Sequence, residues 1–158
     1  RTMPNTPALI GQGITGLYAA PSLAAEDVAT ATALMQSTGR VVRVETEAMI
    51  DAVTAVSGSG PAYVFHFIES MLAAAQSVGF GAGDAHTLVL ATMKGATALA
   101  EASDESPGVL RERVTSKGGT TAAALAVIGE RGVQAAYVDA VGAARDRGAE
   151  LGDLLDKA

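Results

Sequence analysis

Ser57-Gly58-Ser59-Gly60-Pro61-Ala62-Tyr63-Val64-Phe65-His66-Phe67-Ile68-Glu69-Ser70-Met71-Leu72 is the stretch whose reading decides the fold. Its glycines interrupt one helix. Pro61 then suits the first position of the next, where its missing N–H would have no intrahelical partner. From Pro61 to Val78 the apolar residues Tyr63, Val64, Phe65, Phe67, Ile68, Met71 and Leu72 cover nearly the whole circumference. A helix of that kind is expected to be buried on most sides. Towards the carboxyl end Gly79, Gly81 and Gly83 stop it, and Asp84 is read as the cap of a helix reaching about Ala102. Pro107 opens a brief helix through Leu110 and Val114. An alanine-rich helix follows Thr115-Ser116-Lys117-Gly118-Gly119-Thr120-Thr121 and ends at Gly132. A last helix runs from Val133 towards Leu155.

Towards the amino end a short helix covers about Glu47 to Val56, and before Thr46 the character changes. Ala8-Leu9-Ile10 and Ile14-Thr15-Gly16-Leu17-Tyr18-Ala19 read as a hairpin or two adjacent strands. Ser22 is expected to cap a helix from Leu23 to Gln36, stopped by Gly39. Arg40 to Glu45 is a β-branched run of strand length. The fold class expected is therefore mainly α: a helical domain over residues 46–158 preceded by a short α/β block over residues 1–45.

Composition narrows function. Among 158 residues, 11 are Lys or Arg and 17 are Asp or Glu, giving a net charge of −6. That balance, with no basic run, argues against nucleic-acid or anionic-membrane partners. There are no cysteines, so disulfides, cysteine–zinc sites and thiol chemistry drop out. His66 and Glu69 sit three apart, but without a third ligand a hydrogen bond is the simpler reading, and no metal is expected. His86 reads as solvent-facing, Asp104 and Glu105 as turn residues, and Arg145, Asp146, Arg147 and Glu150 as a solvated face. The uncharged runs Thr2–Ala25 and Ala52–Ile68 are broken by Pro, Gly and Ser, so neither reads as a membrane span. No secretory signal heads the chain, and a cytoplasmic setting is expected. The opening Arg1-Thr2-Met3, within strand-and-turn sequence, reads as a fragment of a longer protein. Aromatic residues are only 4% of the chain, which leaves alanine-rich helices a thin core. A second copy is expected to complete it by helix–helix packing.

The chemistry centres on the segment from Thr115 to Thr121. The first N–H groups of a helix lack intrahelical acceptors and carry the positive end of the macrodipole. Gly118 and Gly119 admit a ligand to the backbone, and the hydroxyls add donors. This is a cradle for a small carboxylate or phosphate; its spacing is not that of a Walker loop. From these residues alone an ordinary glycine loop with Thr120 as the cap is the simpler reading.

Three motifs occur in order: Arg1-Thr2-Met3-Pro4-Asn5-Thr6-Pro7-Ala8, Ser57-Gly58-Ser59-Gly60-Pro61-Ala62-Tyr63 and Val114-Thr115-Ser116-Lys117-Gly118-Gly119-Thr120-Thr121. Together they resemble the carboxyl-terminal portion of the pyrroline-5-carboxylate reductase family, over nearly the whole chain. Two positions depart from the family: Lys117 stands where Pro is more common, and Gly129 where a polar or acidic residue is usual.

The resemblance implies reduction of L-1-pyrroline-5-carboxylate to L-proline with NADPH or NADH, the last step of proline synthesis. It implies an amino-terminal Rossmann domain, of which residues 1–45 would be the tail. Residues 46–158 would be an all-helical dimerisation and substrate-binding domain, forming a homodimer or higher oligomer. The Gly-x-Gly-x-x-Gly/Ala fingerprint is not in this sequence, so the chain alone is expected to be inactive. By resemblance Thr121 is the catalytic residue, its hydroxyl contacting the imine nitrogen. Thr54, Val114, Ser116, Gly118, Gly119, Thr120 and Thr121 would bind substrate, and Pro4, Asn5 and Thr6 would form the nearest cofactor wall. Two alternatives stand beside this: an oligomerisation module with no ligand site, or the helical domain of another Rossmann-linked reductase for small carboxylic acids.

Overall fold

The computed structural model describes residues 1–155, so the last three positions of the expected 46–158 domain lie outside the described residues. The chain divides into two compact units. One is Arg1–Val64 with the chain from Tyr137 onward, and the other is Phe65–Ala136.

The first unit is built on a three-stranded sheet of order β1-β2-β3. Strand β1 (Thr2–Met3) pairs antiparallel with β2 (Gly13–Tyr18), and β2 pairs in parallel with β3 (Gly39–Val44), from Gly13 opposite Gly39 to Tyr18 opposite Val44. Parallel neighbours need a crossover, and α1 (Ala25–Gln36) supplies it. Gly39 has φ +149°, and a Cβ there would strike the backbone of Gly13, so only glycine fits this first pair. Helix α2 (Met49–Val53) packs on the sheet at Gly16. Leu17, Thr15, Ile50 and Ala55 form the buried centre of the unit. Arg1 ties the sheet edge to Glu47, just ahead of α2, at 3.6 Å and to Asp51 within α2 at 3.7 Å.

Ala8-Leu9-Ile10 is not a strand. Thr6–Ile10 is a 3-10 turn, because Pro7 fixes a helical φ near its start and Gly11, at φ +70°, closes it on the carbonyls of Pro7 and Ala8. Nor does Ser22 cap α1. Pro21 nucleates a β-turn in which Leu23 N–H reaches Ala20 O at 3.0 Å, which spends Ser22 inside the turn. The helix begins at Ala25, without a side-chain cap, and Glu26 and Asp27 supply the favourable charge in its first turn. Beyond α2 the helix does not stop at once. Thr54–Gly58 is a π-turn, closed by Ser59 N–H on Thr54 O at 2.8 Å.

Helix α3 (Gly60–Ser77) begins in the first unit and continues in the second, where α4 (Ala82–Ala102), α5 (Pro107–Arg113) and α6 (Thr120–Glu130) follow. Helix α7 (Val133–Leu155) returns to the first unit, where Asp51 Cβ comes within 3.8 Å of the space a Gly148 side chain would take. Gly81, not Asp84, caps α4; its extended backbone makes the entry, and Asp84 serves as first-turn charge. The burial expected of α3 is absent in the single chain: none of its residues is buried, and Phe65 is 59% exposed. Its ring-wide apolar surface has too little of its own chain to pack against. Arg145 pairs with Asp146 and Arg147 with Glu150, all exposed as expected.

Candidate functional site

The candidate residues fall into two groups, one in each unit. In the first unit, Met3, Pro4, Asn5, Thr6, Leu9, Thr54, Gly58 and Ser59 are among the residues lining an open cleft of about 580 Å³. The 3-10 turn delivers one wall and the π-turn the other. A π-turn inserts a residue into the helical repeat, and such insertions cluster at functional sites. Here it brings Thr54, Gly58 and Ser59 to one side. The Asn5 side-chain oxygen accepts from Ile14 N–H at 3.0 Å, which leaves its NH₂ group free. The Thr54 hydroxyl donates to Ile50 O at 2.8 Å, so its oxygen remains able to accept. Pro4, Asn5, Thr6 and Thr54, read separately from sequence, thus share a surface. Met3 and Ser59 were missed as lining residues; Ser59 lay inside a quoted motif, but only the π-turn gives it a direction.

In the second unit, Val114 ends α5 with φ −96° and ψ 8°, and Thr115 continues the turn by donating from Oγ1 to Arg111 O at 2.6 Å and from N–H to Glu112 O at 3.0 Å. Gly119 N–H then reaches Ser116 O at 3.0 Å across Lys117 and Gly118. Gly118 has φ +72°, and among the described residues no non-glycine has positive φ, so this is a type II turn with Lys117 at its first corner. Gly119, extended at φ −80° and ψ 174°, is the helix cap in place of Thr120, and no side chain caps α6. A side chain at Gly119 would collide with the Ser116 hydroxyl.

The Gly119 N–H is therefore spent within the turn. The N–H groups of Thr120, Thr121 and Ala122 lead α6 without intrahelical acceptors. Thr121 is half-buried, while Val114, Ser116, Lys117, Gly118 and Thr120 are exposed. A separate cleft of about 530 Å³, lined by residues such as Arg111, Leu125, Ile128 and Gln134, takes only Thr115 from this loop. What the loop offers is an uncapped helix start beside the exposed Lys117 and two threonine hydroxyls, which suits a small carboxylate. Among the described residues no three His, Cys, Asp or Glu side chains group as metal ligands, and no helix is long and apolar enough to cross a membrane.

Fold and loop together define a class: a mainly helical domain following an α/β segment, with an uncapped helix start suited to a small anion. The family described as pyrroline-5-carboxylate reductase dimerisation matches residues 47–151. A pyrroline-5-carboxylate reductase of Pseudomonas aeruginosa is 44% identical over 155 residues, covering 98% of this chain and 57% of the relative. Pyrroline-5-carboxylate reductase 2 of Bacillus subtilis is 40% identical over 151 residues, covering 96% of this chain and 54% of the relative. Among solved structures, a pyrroline-5-carboxylate reductase from Coxiella burnetii superposes with a TM-score of 0.91 at 36% identity, over 96% of this chain and 56% of that one. The Plasmodium falciparum pyrroline carboxylate reductase with NADP bound gives 0.90 at 32% identity, over 96% and 62%. The chain belongs to the pyrroline-5-carboxylate reductase family. It spans somewhat more than half the length of the curated relatives it matches.

Proposed function

We propose that this chain is the dimerising, substrate-binding portion of an enzyme that reduces L-1-pyrroline-5-carboxylate to L-proline with NADPH or NADH. The observation that carries the reading is the α6 start. A type II turn presents unpaired N–H groups and the Thr121 hydroxyl in a chain 44% identical to a reductase of that name. The family match beginning at residue 47 supports residues 46–158 as the helical domain and residues 1–45 as the end of a dinucleotide-binding domain.

On this reading the substrate carboxylate sits on the N–H groups of Thr120 and Thr121, where the helix dipole favours negative charge. Gly118 and Gly119 leave the approach open, and Ser116 and Val114 flank it. The Thr121 hydroxyl hydrogen-bonds the ring nitrogen, which must hold a proton as it becomes an amine. Threonine is a weak acid, so the hydroxyl orients and relays that proton instead of generating it. Thr54 lines the separate cleft of the first unit, where its hydroxyl oxygen remains able to accept. The lining of that cleft fits a nicotinamide ring: Pro4 and Leu9 offer apolar surface, and the free Asn5 NH₂ and the Ser59 hydroxyl offer polar partners. When bound, the nicotinamide supplies the hydride. No metal takes part, the protein acts as a homodimer in the cytoplasm, and neither nucleic acid nor membrane is a partner.

The test is oxidation of NADPH on addition of L-1-pyrroline-5-carboxylate to the full-length polypeptide carrying this chain. Thr121→Ala should lower kcat/KM by roughly 10²-fold, the scale of a positioned proton-transfer group. An unchanged value refutes the assignment of Thr121, and absence of turnover in the unsubstituted protein refutes the reaction.

A further inference from the structure

The short helix before the anion loop is held in an unusual way. Helix α5 has seven residues, too few to be stable by itself. Ser106 caps its start, accepting from Val109 N–H at 3.3 Å. Its end has no left-handed glycine to close it, and Val114 follows in an irregular conformation. Instead Arg113, the last residue of the helix, reaches back and donates to Glu105 Oε1, ahead of the helix start.

Glu105 is built to receive it. Its N–H is held by Ser103 Oγ at 3.1 Å, and its side chain is only 33% exposed. Its second oxygen, Oε2, is buried and has no hydrogen-bond partner among the described residues. A solvated turn residue would leave both oxygens to water. Burial of one oxygen commits the carboxylate to a single orientation, with Oε1 facing Arg113. From Arg113 the order passes through the two Thr115 bonds, to Arg111 O and Glu112 O, into the Ser116–Gly119 turn that starts α6.

We propose that Glu105 is a positioning residue for the anion loop: through Arg113 it sets where α5 ends and so where the N–H groups of Thr120 and Thr121 stand. This rests on the carboxylate-binding role given to that loop above. Glu105 does not touch substrate. Its effect is on the affinity of the loop for a carboxylate, not on the chemical step.

The experiment is calorimetric titration of the full-length polypeptide carrying this chain with L-proline, alongside Glu105→Gln, Arg113→Gln and the charge-exchanged pair Glu105→Arg with Arg113→Glu. Helix content is followed by circular dichroism. Each single variant should bind L-proline roughly five- to tenfold more weakly, as coupled groups in contact do, with helix content kept. The exchanged pair should recover most of the affinity. If the unsubstituted chain binds no L-proline, the carboxylate role of the loop fails, and the proposal with it. If it binds and the single variants bind equally well, only the positioning role is overturned. Loss of helix content in both single variants also overturns it, since Glu105 would then serve stability alone.

Discussion

A methyl group on Gly16 would lie 2.6 Å from Val53 Cγ1, at the one place where α2 presses on the middle strand. Gly16→Ala should therefore destabilise the first unit by about 1–3 kcal/mol, the range for overpacking, measured as a lower denaturation midpoint at unchanged m-value. The anion loop predicts effects of opposite sign at neighbouring residues. Lys117 occupies the turn corner that proline favours, and its N–H makes no hydrogen bond among the described residues. Lys117→Pro should stabilise by about 0.4–1 kcal/mol, mainly by restricting the unfolded chain. Gly118→Ala, forced to keep φ +72°, should cost roughly 1–2 kcal/mol. Thermal melts of the two variants, run together, should move in opposite directions.

Among the elements, those announced by long periodic or β-branched runs were legible in the sequence. Helix α3 is one residue off the Pro61–Val78 reading at either end, α7 starts at Val133 as read, and β3 follows from Arg40-Val41-Val42-Arg43. The misses are local competitions that composition does not decide. Thr6–Ile10 has strand-forming residues, but Pro7 and Gly11 bracket it into a 3-10 turn. The Ser-Gly-Ser-Gly break was visible; that Thr54–Gly58 winds as a π-turn before it was not, because one extra residue per turn leaves no compositional mark. The anion loop was legible as glycines before a helix, yet the cap proved to be Gly119, with its N–H already spent. Glu105 read as a turn residue because its partner, eight positions away, lies beyond any local pattern. At this scale Ser106→Ala should cost about 0.5–1 kcal/mol by removing the only side-chain cap on α5, and amide exchange should quicken first at Val109.

For the molecule as a whole, what the single chain leaves uncovered matters most. In the second unit Phe67, Met71, Val78, Phe80, Leu88 and Met93 border an apolar groove of about 560 Å³ between α3 and α4. Monomers rarely leave contiguous apolar surface of this kind open. Light scattering at micromolar concentration should give twice the chain mass or a higher multiple. Phe65→Asp, on the exposed face of α3, should shift the population towards one chain. A mass of one chain for the unsubstituted protein would contradict pairing. The same groove bears on dosage in a living cell. If a second copy covers it, a chain fresh from synthesis carries it bare and stays open to chaperones and proteases until the two meet. Encounter depends on the square of copy number while clearance depends on the first power. Under graded induction, quantitative immunoblotting should therefore show the protein accumulating more steeply than its messenger at low expression, and in proportion to it once copies are abundant.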